Sequence, residues 1–262
     1  MLANAGDEYD RFAEIYSVWT ATAASTQANL KFYLGAYAAA EGPVVELGIG
    51  DGRIAVEAAA RGQSIIGVDR SVAMLELCRQ RAERAGVLNR ITLLRADFLT
   101  FELPTPAALI ALPYHSIGHL KDLDEKRAAV RHVYSQLRPG GRFIFDDFLI
   151  TAAVISQMRQ VQLRARYRSA NGSDALLWVT SLVSEAAQSI LTVTWEDELD
   201  PSGLMVQRRY RHLSLSWLEE AQARSLLEEA GFTVEACFGD FESTPFARGN
   251  AHEQIWVARK PG

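Results

Sequence analysis

The chain has 262 residues, a formal net charge of -5 and 48% hydrophobic residues, which suits one large α/β domain, or one with an insertion, and a buried sheet. No basic block of five or more residues occurs, the longest cluster being Arg208-Arg209 with Arg211, so a nucleic-acid partner, which needs a concentrated positive face, is disfavoured. No run of about 18 apolar residues appears and the N-terminus has no basic region leading into an apolar core, which points to a soluble cytoplasmic protein; two cysteines, Cys78 and Cys237, lie near no CxxC or histidine cluster, so neither a disulfide framework nor a metal site is expected.

Two helices, roughly Glu8 to Trp19 and Thr26 to Ala40, open the chain and stop at Gly42-Pro43. An apolar strand from Val44 then runs into Gly48-Ile49-Gly50-Asp51-Gly52. Glycines spaced by two let the backbone turn tightly from strand to helix and let a nucleotide-like ligand lie against it. A helix from Ile54 to Arg61 leads to a second strand, Ser64 to Asp69. In a doubly wound sheet its end lies beside the glycine turn, so Asp69 offers a ribose diol a two-lobed acceptor. Its other reading, as cap of the helix Val72 to Arg84, is better filled by Ser71. A third strand, Ile91 to Arg95, ends in Ala96-Asp97-Phe98.

The dinucleotide fingerprint G-x-G-x-x-G would need a third glycine where Arg53 stands, and an acidic residue, Glu46, precedes the first glycine by two. The pattern (D/E)-x-G-x-G-x-G resembles motif I of class I S-adenosylmethionine (SAM) dependent methyltransferases. The resemblance covers residues 40 to 150 well and 216 to 260 in outline. It implies a Rossmann-like, doubly wound, mostly parallel seven-stranded sheet whose last strand is antiparallel, and SAM as cofactor with S-adenosylhomocysteine as product. It also implies a cofactor set of Glu46, Gly48, Gly50, Gly52, Asp69, Asp97, Phe98 and Leu112, with Asp97 on the adenine amino group and Phe98 against the ring. Asp97 read alone is equally an ordinary loop acid.

The fourth strand, Ala107 to Leu112, is stopped by Pro113, and a helix from Leu123 to Leu137 ends at Arg138-Pro139-Gly140-Gly141 before the fifth strand, Arg142 to Asp146. L-R-P-G-G is also similar to this family. After an insertion come a helix, Leu218 to Ala230, and strands Phe232 to Phe238 and Glu253 to Ala258; the resemblance places the last strand antiparallel between the fifth and sixth. The expected segments are thus an N-terminal helical lid (1–42), the cofactor-binding core (43–161), an inserted antiparallel meander after the fifth strand (162–217) and the remaining core (218–262).

The meander reads as three strands, Leu176 to Glu185, Gln188 to Leu199 and Leu204 to Leu215. Tight turns would pair Trp178 with Trp195 and Trp195 with Arg208, then Thr180, Val193 and Tyr210, then Leu182, Leu191 and His212. That face is apolar and aromatic. The other, with Thr192, Thr194, Glu196, Arg209 and Arg211, suits solvent. The aromatic face covers the acceptor pocket, forms the surface of a homodimer, or packs on the parent domain.

The chemistry is expected on the rim segment Leu112-Pro113-Tyr114-His115-Ser116-Ile117-Gly118-His119-Leu120. Methyl transfer from a sulfonium is an in-line displacement in which the enzyme mainly aligns the nucleophile and excludes water. His115 and His119 are candidate bases or amine ligands, and Tyr114 could bond the acceptor or face the methyl group. Packing or capping is the competing role for His119. Ser116 to Leu120 resembles small-molecule N-methyltransferases acting on amino sugars, although Leu-Pro-Tyr departs from their Met-Phe-Ser. Leu-Pro-Tyr is also similar to the N/D-P-P-Y loop of amide methyltransferases, without its first polar residue or second proline. On the acceptor side stand Asp147, Tyr16, Trp19, Trp178, Tyr210 and Phe246. Asp146 and Asp147 hold a cationic amine, act as a base, or cap the chain where it turns. The expected activity is methyl transfer to nitrogen or oxygen of a small metabolite; an NAD(P)-dependent oxidoreductase and a noncatalytic SAM-binding protein are the alternatives.

Overall fold

A computed structural model describes residues 5–22, 26–169 and 171–262; positions 1–4 and 23–25 of the expected 1–42 segment, and position 170 of the expected meander, therefore lie outside the described residues. In chain order the elements are α1 (Ala5–Ala21), α2 (Thr26–Ala38), β1 (Val44–Leu47), α3 (Ala55–Ala60), β2 (Ile65–Asp69), α4 (Val72–Arg84), β3 (Ile91–Arg95), β4 (Ala107–Leu112), α5 (Leu123–Gln136) and β5 (Leu137–Phe148). Then follow α6 (Ala152–Met158), β6 (Gln162–Arg168), β7 (Asp174–Ser184), β8 (Ser189–Leu199), β9 (Met205–Ser216), α7 (Glu220–Glu229), β10 (Thr233–Phe238) and β11 (Glu253–Arg259). They form two compact units, Met1–Thr26 with Ile150–Ser216 and Gln27–Leu149 with Trp217–Gly262. The two N-terminal helices, expected as one segment, are thus divided between the units.

The larger unit is a seven-stranded sheet of order β10-β11-β5-β4-β1-β2-β3. Strands β1 to β5 pair in parallel, and β11 is antiparallel to both β5 and β10. Every residue of β1 and β4 is buried, as an inner strand covered on both faces requires. Val45 and Leu47 pack with Val130, Leu226 and Leu227, while Val44 packs with Tyr33, Tyr37 and Ile54. Because β1 is flanked by β2 and β4, strand order reverses beside it, and the carboxyl ends of β1 and β4 form the crevice in which such sheets bind ligands. Ser71 caps α4, its hydroxyl accepting from the Met74 amide at 3.1 Å, which leaves Asp69 for another task. The largest boundary difference within this sheet is that β5 begins at Leu137, because Gly140 and Gly141 pair with Lys260 across the sheet (2.9 and 2.8 Å) and so extend the strand through the glycines.

The smaller unit contains an antiparallel sheet of order β6-β7-β8-β9, one strand more than the sequence announces. The first hairpin has the expected register, Trp178 opposite Trp195, Thr180 opposite Val193 and Leu182 opposite Leu191. The second is displaced by two residues, so that Trp195 faces Tyr210, Val193 faces His212 and Leu191 faces Ser214. Two causes add. The Asp200 carboxylate folds the connection into a wider turn by accepting from the amides of Ser202 and Leu204 (2.8 and 3.0 Å), and a bulge follows between Glu198 and Leu199.

A shift of two preserves the faces, but their burial is the reverse of the expectation. Thr194, Glu196 and Arg211 are 0%, 4% and 5% exposed, whereas Leu182 and Tyr210 on the aromatic face are 65% and 63% exposed. The reason is α1, which packs on the polar face. Phe12 and Ile15 meet Leu177, and Arg211 donates to the Glu14 carboxylate at 2.7 Å and to the Arg11 carbonyl at 2.9 Å. Glu196, Asp197 and Glu198 in turn pair with Arg209, Arg208 and Arg211, so the densest basic cluster of the sequence is neutralised within its own sheet.

Candidate active site

The glycine turn leaves β1 with Gly48, Gly50 and Gly52 all left-handed, at φ of 65°, 55° and 76°, a region costly for side chains. A Cβ at Gly48 would stand 3.1 Å from Ser116 Oγ and 3.3 Å from Phe98 Cζ, closing the gap between turn, Phe98 and rim. At Gly52 it would meet Cys78 Sγ at 2.5 Å, so this glycine serves close packing on α4. Asp69 Oδ2 accepts from the Gly50 amide (3.0 Å) and Oδ1 from the Ser71 amide (2.9 Å). Each oxygen keeps a second lone pair, so the carboxylate can still receive a ribose diol. Asp51 pairs through Oδ2 with Arg81 at 2.7 Å, while its Oδ1, buried in the turn, has no hydrogen-bond partner among the described residues and suits an ammonium or hydroxyl donor. A cradle that a Cβ would fill, a fixed two-lobed acceptor and an orphaned acceptor oxygen together fit SAM.

Three other members of the expected cofactor set make contacts of their own within the fold. Glu46 is 2% exposed and accepts from the Tyr37 hydroxyl at 2.9 Å; burial raises its pKa to about 8 against that bond and the Arg53 charge. Leu112 is 2% exposed and packs in the core with Ile117 and Leu120. Asp97 forms a turn with the Leu99 amide (3.0 Å) and lies 3.6 Å from Arg70. Arg53, in place of the third glycine, reaches Asn29 Oδ1 at 2.6 Å and lies 5.1 Å from the centre of the Tyr114 ring, tying α2, the turn and the rim together.

After β4 the chain bends through Tyr114 and His115, both left-handed at φ of 62° and 57°. Strained neighbours of this kind persist only where their surroundings over-determine them. Here Asp146, at 0% exposure, accepts from the Tyr114 amide (2.9 Å), the His115 amide (2.8 Å) and the Tyr33 hydroxyl. Asp147 accepts from the amides of Phe148 and Leu218, both at 2.8 Å, and burial raises its pKa to about 6 against the Lys126 charge. Both carboxylates are fully buried and hold backbone amides, the capping role among those expected of them. Lys126, almost fully buried, donates to the carbonyls of Ile117 (2.7 Å) and Leu120 (3.1 Å) and so clamps the Ser116–His119 turn from below.

The two rim histidines have opposite electrostatics. Burial alone would lower the pKa of His115, but Glu253, bonded to Nε2 at 2.7 Å, raises it to about 9 with help from Asp146 and Asp147. For His119, burial followed by the charges of Arg70 and Lys126 lowers it to about 3. His115 is therefore cationic at neutral pH and His119 neutral. The His115 ring lies against Phe148 at 3.9 Å, with Tyr114 stacked at 5.8 Å.

The remaining aromatic candidates are engaged within their own units. Tyr16 and Trp19 pack edge-on against Phe12, and Arg164 covers Trp19 at 4.7 Å. Trp178 stacks on Trp195 at 6.3 Å, Tyr210 stands beside Trp195, and the Phe246 amide bonds the Cys237 carbonyl at 2.9 Å. Sequence reasoning missed Tyr33, Lys126 and Glu253. A signal existed for Lys126, which shares the phase of the apolar residues Ala129, Val130 and Val133 on α5, and for Tyr33 and Tyr37, four apart on α2. Glu253 gave none, because its partner is met only through strand pairing.

Residues 44–141 match the family described as Methyltransferase domain. An uncharacterised methyltransferase of Oceanobacillus iheyensis is 30% identical over 104 residues, 40% of this chain and 46% of that protein. The tRNA 5-carboxymethoxyuridine methyltransferase of Escherichia coli K12 is 32% identical over 100 residues, 37% of each chain. The chain thus spans less than half the length of these curated relatives. Among solved structures, the CcbJ methyltransferase from Streptomyces caelestis superposes with a TM-score of 0.80 at 22% identity, over 97% of this chain and 98% of that one. CalS10, an amino pentose methyltransferase from Micromonospora echinaspora, gives 0.65 at 17% identity, over 99% and 92%; at such identities the likeness is one of fold. Residues 44–141 thus match a methyltransferase domain, set in the strand order of a Rossmann-like sheet and carrying a glycine turn whose residues fit S-adenosylmethionine.

Proposed function

We propose that the protein transfers the methyl group of SAM to the neutral amine of a small molecule, with amino sugars the first class to test. When bound, SAM supplies a methyl activated by its sulfonium, and Gly48, Asp69, Asp97 and Phe98 are the residues to hold it. The observation that carries the choice of nitrogen is the charge state of the rim. A hydroxyl acceptor needs a base with a pKa near the working pH, yet His115 is already protonated up to about pH 9 and His119 binds protons only below about 3. A neutral amine needs no such base. It attacks with its own lone pair and sheds its proton afterwards, so alignment and exclusion of water are what the rim must provide.

Two further points support a small acceptor. The densest basic cluster, Arg208, Arg209 and Arg211, is paired with Asp197, Glu196, Glu198 and Glu14, leaving little free positive charge for phosphates. CalS10, whose fold this chain shares, is described as acting on an amino pentose. The test is transfer of radiolabel from SAM to a panel of amino sugars and simple amines, each beside its hydroxyl counterpart. Label on nitrogen alone is the expected result. Label on hydroxyls with the amines inert would overturn the reading.

A further inference from the structure

His115 is held on three sides by parts of the chain distant in sequence. Its backbone amide is fixed by Asp146 (2.8 Å), its ring face by Phe148 (3.9 Å) and its Nε2 by Glu253 (2.7 Å). The antiparallel pairing of β11 with β5 sets this up, because it puts Glu253 directly opposite Phe148. The two side chains are 16% and 13% exposed, so neither contact is a loose surface pair. Among the described residues Nδ1 makes no hydrogen bond, and it is not among the buried unpartnered atoms.

Resting on the methyl-transfer reading above, we propose that Glu253 is a positioning residue for the acceptor: by accepting from Nε2 it holds the His115 imidazolium in one orientation, so that its Nδ1–H is the donor offered to substrate. A carboxylate on one ring nitrogen decides what the other can do. The groups facing His115 are Glu253 from β11, Asp146 and Asp147 from β5, Tyr114 and His119 from its own rim segment, and Tyr33 from α2 behind Asp146. Glu253 is the one that touches the ring through a hydrogen bond. With it in place Nδ1 carries a proton at working pH and donates. The partner is an oxygen of the substrate, hydroxyl, carbonyl or carboxylate, adjacent to the reacting amine. The same positive charge disfavours an ammonium beside it and so keeps that amine neutral. The substrate class narrows to amines bearing such an oxygen close by.

The test uses the full chain with SAM and whichever amine of the panel the wild type methylates, together with NMR titration of carbon-13-labelled histidines in the complex with S-adenosylhomocysteine. His115→Asn assigns the resonance. In Glu253→Gln the His115 titration should fall by a pH unit or more and KM for the amine should rise about tenfold, as expected for loss of a charge-assisted hydrogen bond. The alkaline rise of KM should move to lower pH with it, and S-adenosylhomocysteine affinity should stay unchanged. Glu253→Asp, which retains the charge, should lie between the two, and it carries the test if the Gln variant does not fold. An unmoved His115 titration overturns the proposal. So does a moved titration with KM, kcat and pH profile as in the wild type, which would leave Glu253 a stabilising ion pair. A wild type inert on every amine sinks the acceptor reading and this assignment with it, whereas an active wild type matched by Glu253→Gln sinks the assignment alone.

Discussion

Asp69 is the residue proposed to join turn and cofactor: its carboxylate is fixed by the amides of Gly50 and Ser71 and still has lone pairs to offer. Asp69→Asn keeps the shape and removes the charge, and is expected to weaken S-adenosylhomocysteine by about 2 to 3 kcal/mol. Calorimetry decides it; unchanged affinity would mean that the ribose lies elsewhere. Lys126 makes a contrasting case, a buried amine whose pKa burial lowers to about 8 against the charge of Asp147. Lys126→Met preserves apolar volume but strands the carbonyls of Ile117 and Leu120. It should cost about 2 to 4 kcal/mol of stability in chemical denaturation and leave S-adenosylhomocysteine binding largely intact. A variant as stable as the wild type would deny the rim its clamp. Asp69 was legible in the sequence because strand, turn and carboxylate are close together in the chain. Lys126 was half legible through its helical phase, and Glu253 not at all, since nothing local distinguishes a glutamate at a strand start.

Among the elements, the antiparallel sheet shows where sequence patterning stops. Alternation along β7 and β8 reveals which residues share a face, and the tight connection between them fixes Trp178 opposite Trp195. Alternation does not say which face is covered. Glu196 and Arg211 were expected in solvent because they are charged, yet α1 covers them, and their charges are met by Tyr167 (2.6 Å to Glu196) and Glu14 (2.7 Å to Arg211). Nor does alternation see the wide turn and the bulge that together slide β9 by two residues and so leave the faces as they were. Arg211→Met tests the inverted faces. Removing one partner from a buried cluster leaves Glu196 with less compensation, so a loss of about 3 to 5 kcal/mol is expected, read from urea denaturation of the full chain. Tyr210→Ser, on the open face, should change stability by under about 0.5 kcal/mol. If the two variants were equally mild, the polar face would be the solvated one.

For the molecule as a whole, the parallel sheet was readable because its strands are apolar runs bounded by turn residues, with β1 and β4 buried throughout, and α4, β3 and β4 begin and end where the sequence puts them. What the sequence could not convey is the charge state of the buried groups, which arises only when distant residues are brought together. That charge state has a consequence for stability. Between about pH 6.5 and 8 the folded chain holds protons that the unfolded chain has released: His115, with a folded pKa of about 9 against 6.5, and Glu46, at about 8 against 4.5. A state that binds more protons loses stability as pH rises, so both groups act in the same direction. The opposing groups act outside this window. His119, lowered to about 3, favours folding with rising pH only up to 6.5, and Lys126, lowered to about 8, only above 8. Stability should therefore fall from pH 6.5 to 8, and Glu46→Gln, neutral at every pH and able to accept from Tyr37, should flatten that slope. Urea midpoints measured across the interval for both proteins test this. A wild type that holds steady or gains stability there, or a Gln variant with the same slope, would mean that Glu46 is ionised inside the fold and that Arg53 neutralises it.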